Sequence, residues 1–173
     1  MKKLLILIGL VGFIFINSKA QQVPVFKGTT YEEGGMYPDQ IDTWSYKGFI
    51  FKTITPQIAR PITTTSVYKK STNGLNEIKN HELFGNNATK VSEIVNSKLK
   101  SDFQTQKKEN PKCFKEFNPV DIDQMSISVD KSYMYFEMIL DTSFLTDASS
   151  ECIYPSTIAK INLSEISRFI FSN

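Results

Sequence analysis

The chain has 173 residues, the length of one ordinary domain with room for a real core. Its 21 Phe, Tyr and Trp residues are spread along the sequence without a low-complexity block, which excludes an intrinsically disordered chain. Twenty basic residues against 18 acidic ones exclude the strongly positive field of a nucleic-acid binder.

Lys2 and Lys3, the 13-residue apolar run Leu4 to Ile16, and the small residues Ser18 and Ala20 read as a secretory signal over residues 1–20, cut between Ala20 and Gln21. The run is shorter than the ~20 apolar residues that cross a bilayer. Gln21 and Gln22 stand where a lipoprotein signal would place cysteine. The expectation is one domain over 21–173, outside the membrane after cleavage, secreted or periplasmic. Lys2, Lys3 and Lys19 leave with the leader, so the remainder carries 17 basic and 18 acidic residues. The Asn, Lys, Ile and Ser rich composition reads as bacterial.

In chain order, residues 29–42, with Gly34, Gly35 and Pro38, read as irregular. Trp44 to Ile54 alternates in part, and Ile62 to Tyr68 is a β-branched run, so both are expected as strands. Asn73-Gly74 is a hairpin turn signal, and Leu75 to Ile78 is its returning strand. Val91, Ile94, Val95, Leu99 and Phe103 form one apolar stripe, which predicts a helix from about Thr89 to Lys107, stopped by Asn110-Pro111. Residues 109–123 then read as a linker. Met125 to Val129 and Tyr133 to Leu140, across the Asp130-Lys131-Ser132 turn, predict a hairpin. Ile158 to Leu163 alternates again, and Asn162 with Glu165 suggests the cap of a short C-terminal helix. The whole is an α+β fold: an antiparallel sheet, one long helix packed on it, and a short C-terminal helix.

Cys113 and Cys152 survive signal cleavage. In an oxidising compartment such a pair is expected as a disulfide; the alternative is a thiol nucleophile, Cys113, activated by His81, the one histidine. His81-Glu82 begins like a zinc-protease helix, but the second histidine would fall at position 85, which is Gly85. There is no phosphate loop, dinucleotide fingerprint, nucleophile elbow or calcium loop, so no cofactor or metal is expected. Asp121 and Asp123 could put two carboxylates toward a cation, although turn residues are the simpler reading. Glycoside hydrolysis needs only two placed carboxylates, and Glu32, Glu33, Glu82, Glu137 and Asp141 are available. Glu137 is the sharpest of these, because burial inside an apolar strand would suit a general acid; alternation instead places it on the solvent face.

The helix Val91 to Phe103, the hairpin Met125 to Leu140 and the closing segment Ala159 to Ile166 together resemble the extracytoplasmic domain of lysozyme-sensing anti-sigma factors and the accessory region of some peptidoglycan deacetylases. That resemblance implies a non-catalytic envelope module that binds protein or glycan, and it carries over no site residues. Two functions follow as expectations. One is a secreted or periplasmic binding module without catalysis. The other is an extracellular hydrolase that uses paired carboxylates on glycan or Cys113 with His81 on peptide.

Overall fold

The computed structural model describes residues 22–33, 37–57, 63–146, 152 and 156–171. The expected cleavage point between Ala20 and Gln21 lies outside them.

Five strands form an antiparallel meander in sequence order: β1 (Val25–Glu32), β2 (Asp39–Tyr46), β3 (Phe49–Thr55), β4 (Thr64–Ser71) and β5 (Gly74–Ile78). A helical run of 30 residues follows, made of α1 (Asn80–Phe84), a 3-10 turn and the 22-residue α2 (Ala88–Glu109). Three further antiparallel strands, β6 (Ser126–Val129), β7 (Tyr133–Ile139) and β8 (Ser156–Asn162), make a second sheet. The short α3 (Leu163–Ile166) closes the chain, with Asn162 Oδ1 accepting from the Ser164 N–H at 2.9 Å.

The structure is therefore α+β, with the long helix and short C-terminal helix expected from periodicity and the strands shared between two sheets. Two local expectations need correction. Residues 29–42, read as irregular, contain the end of β1 and the start of β2. The segment 44–54, read as one strand, is the end of β2 and most of β3. Lys47 (φ 49°) and Gly48 (φ 83°) turn the chain between them; positive φ at both central residues is the geometry that fits the twist of a two-residue hairpin.

The apolar stripe of α2 does what its spacing demands. Val91, Val95, Leu99 and Phe103 are all essentially fully buried, each side chain contributing roughly 1.5 to 3 kcal/mol relative to exposure. The helix packs along β8 over an inner face that alternates cleanly, with Met134, Phe136, Met138, Ala159 and Ile161 buried. Phe51, Val67 and Tyr46 of the larger sheet join the same buried cluster. Asp102 and Gln106 of α2 also serve the outer edge of β8: Asp102 Oδ2 accepts from the Ile158 N–H at 3.1 Å, and Gln106 Nε2 donates to the Ser156 carbonyl at 3.2 Å. Backbone groups that would stand open at a sheet edge are thereby occupied.

Gly85 has φ 52°, and a Cβ there would lie 3.2 Å from the Phe171 ring. The helix started by His81-Glu82 thus breaks at the position where a zinc protease would need its second histidine.

Candidate functional site

A cleft of about 870 Å3 runs between α2 and the segment that follows it. Its helical side carries small and polar residues, among them Ala88, Ser92, Asn96 and Lys100, which recur every four residues and so lie on one face of α2. The opposite wall is apolar, built from Phe117, Pro119, Val120 and Ile122. His81 and Asp123 stand among the lining residues as well.

Four sets of contacts hold the apolar wall in place. Pro111 follows the end of α2 and opens a 3-10 turn that ends at Cys113. Cys113 is bonded to Cys152, at an S–S distance of 2.03 Å. Phe114 bridges to Leu145, and Phe103, Phe114, Phe117 and Phe144 meet at ring distances of 5.1 to 6.2 Å. The fourth contact is Asn96, a buried polar residue in the middle of α2. Its Nδ2 donates to the Val120 carbonyl at 2.9 Å and its Oδ1 accepts from the Val120 N–H at 2.8 Å, so one side chain imitates a strand partner for the loop. The same Nδ2 lies 3.0 Å from the Ser92 carbonyl.

His81 and Asp123, 42 positions apart, meet through two bonds to the one carboxylate. The His81 backbone N–H donates to Oδ1 at 2.8 Å, and ring Nδ1 lies 2.7 Å from Oδ2. An ionised carboxylate can only accept, so Nδ1 carries a hydrogen, which leaves Nε2 as the ring nitrogen turned away from the carboxylate. Neighbouring Asn80 fixes the approach, its Nδ2 donating to the carbonyls of Ile122 at 2.9 Å and Met125 at 2.6 Å. Partial burial pushes the Asp123 carboxyl up, but the ring and backbone bonds from His81, with the charges of His81 and Lys79, outweigh it and hold the group below its ordinary value. The His81 side chain is half exposed. In its neutral form an imidazole oriented in this way can accept a hydrogen bond, or a proton, at Nε2.

No protein-family model, curated protein or solved structure matches this chain.

Apart from Asp121, which also lines the cleft, the other residues singled out from sequence do not converge on it. Cys113 is a buried disulfide half, which removes the thiol that His81 would have activated. Glu137 lies on the outer face of β7, half-buried between the inward Phe136 and Met138, and accepts from Ser156 Oγ at 2.5 Å. Glu32 and Glu33 are exposed at the end of β1. Glu82 Oε1 accepts from the Lys79 N–H at 3.0 Å. Asp141 accepts from the N–H and hydroxyl of Ser143, which hold its carboxyl below the ordinary value. Asp121 caps its own turn by accepting from the Asp123 N–H at 2.8 Å. Among the described residues no three His, Cys, Asp or Glu side chains group around a metal position.

Asn96 was missed in the sequence reading, although a signal existed. Asparagine is a poor residue for a helix interior, and here it sits between Val95 and Leu99 of the apolar stripe.

Proposed function

We propose that the chain is a non-catalytic binding module of an oxidising, extracytoplasmic compartment, and that it takes its ligand in the cleft beside α2. The observation that carries this reading is the cleft itself: one apolar wall, one wall of small polar side chains, and an oriented imidazole, the usual composition of a site that selects a ligand by shape and a few polar contacts. The Cys113–Cys152 bond fits a compartment where disulfides persist. Among the described residues no helix is long and apolar enough to cross a membrane.

The ligand suited to this site has an apolar side toward Phe117 and Val120 and a hydrogen-bonding group toward His81 Nε2. Nuclear magnetic resonance of the labelled protein against peptidoglycan fragments and short peptides tests the proposal. Binding shifts amides of residues 88–100 and 117–123, and Ser97→Trp, which places a bulky ring at an exposed cleft position, abolishes those shifts without unfolding the chain. Shifts confined to another face, or unchanged by Ser97→Trp, would overturn it.

The His81–Asp123 pair favours a second reading, hydrolysis with His81 as general base. Turnover of an ester, peptide or glycan substrate that His81→Gln removes would establish that reading in place of the first.

A further inference from the structure

β1 is one of the two edge strands of the five-stranded sheet, and the strand pairing fixes which of its backbone groups face outward. The two-residue turn at Lys47-Gly48 makes Tyr46 and Phe49, its flanking pair, a hydrogen-bonded pair. Alternation along β2 then turns the backbone groups of Trp44, Asp42 and Gln40 toward β3, and those of Ser45, Thr43, Ile41 and Asp39 toward β1. Their partners on β1 are Val25, Gly28, Thr30 and Glu32. Lys27, Thr29 and Tyr31 are left with their N–H and C=O groups on the open side.

Among the described residues no strand pairs with this edge. Every residue of β1 except Gly28 is exposed, with Val25 at 51%, Phe26 at 46% and Tyr31 at 64%. An open strand of this kind is a template for another strand unless it is blunted. The blunting features stand at the two ends: Pro24 and the bulge between Phe26 and Gly28 that contains Lys27 at one, and the charges of Glu32 and Glu33 at the other. From Gly28 to Glu33 there is no proline and no lysine.

A second copy is a natural occupant because the edge is complementary to itself. Two antiparallel strands related by a two-fold axis must pair residues of the same sheet face, so the axis passes a residue of β1. Centred on Thr30, the pairing sets Thr29 against Tyr31 of the second copy and Lys27 against Glu33 of the second copy, each occurring twice. Lys27, Thr29 and Tyr31 then lie in positions whose backbone groups are open, and Glu33 follows directly on the strand. Centred on Thr29, it would oppose apolar Phe26 to Glu32 and leave Lys27 without an acid.

We propose that β1 is a homodimerisation edge, in which two copies of this chain pair antiparallel about Thr30 and join two five-stranded sheets into one. The pairing is independent of the cleft, which lies against α2.

Sedimentation of the purified protein over a concentration series tests it. The wild type self-associates to a dimer. Lys27→Glu opposes like charges at both ends and weakens the dimer by about tenfold, and Lys27→Glu combined with Glu33→Lys restores it. Tyr31→Pro removes an outward N–H and abolishes the dimer while circular dichroism stays native; should that variant misfold, the charge swap alone decides. A protein that stays monomeric throughout, or a dimer indifferent to Lys27→Glu, overturns the proposal. So does a monomer whose Thr29 and Tyr31 amides exchange slowly with solvent, since its own chain would then cover the edge.

Discussion

Asp130 shows how one carboxylate can organise a turn. It accepts from the backbone N–H groups of Ser132 and Tyr133 and from the Tyr135 hydroxyl, all within 2.6 to 2.7 Å. Burial pushes the Tyr135 phenol up, the Asp130 bond and charge push it further, and it reaches about 12. A raised folded value means that this phenol stabilises the fold fully below its ordinary 10.0 and that the contribution is lost as pH rises through about 12. Asp130→Asn removes the charge, while its amide oxygen can still accept the phenol's hydrogen, and burial and the neighbouring Tyr133 remain. The Tyr135 titration, followed by tyrosinate absorbance, should then fall from about 12 and remain above 10.0. The turn itself was readable, because Asp-Lys-Ser between two alternating strands is turn chemistry. The bond to Tyr135 was not, since it depends on how the turn brings Asp130 back over β7.

At the scale of elements, periodicity served best where burial was one-sided. The helix expected from Thr89 to Lys107 is found from Ala88 to Glu109, because a stripe repeating every three to four residues has only one way to bury itself. The hairpin of β6 and β7 was legible for the same reason at period two. β1 was not legible, because a strand exposed along nearly its whole length carries no burial pattern. The turn at Lys47-Gly48 was hidden because lysine is an unusual residue at positive φ. What joins α2 to the cleft wall is Asn96, and its removal gives a direct test. Asn96→Ala leaves the Val120 N–H and carbonyl without their partner and should cost about 1 to 3 kcal/mol in denaturant unfolding. Ser92→Ala, which loses only a 3.3 Å contact to Asn96, should cost much less.

Across the whole molecule, the disulfide ties the segment after α2 to the segment before β8, across 39 positions. Closing a loop of that length removes entropy from the unfolded chain worth roughly 4 kcal/mol, a large part of the ~5 to 15 kcal/mol that holds a typical domain together. Unfolding with and without reductant should therefore differ by about 4 kcal/mol. The effect should be local as well: the aromatic cluster around Phe103 and the wall at Phe117 loosen first, so hydrogen exchange at residues 113–123 should rise before exchange in β1 to β5 changes.

The sequence by itself determined the α+β class, the apolar face of α2, the β6–β7 hairpin and the cysteine pair, because each depends on residue type at short spacing or, for the cysteines, on there being only two. It also supplied the expectation of an exported chain. Tertiary structure alone decided that the strands divide into two sheets, and that His81 meets Asp123 at a cleft whose wall Asn96 holds. Those outcomes join residues 24 and 42 positions apart, and no local period encodes them. They arise from the packing of α2 against β8 and from the return of the chain after Pro111, where close packing leaves each side chain few neighbours to choose from.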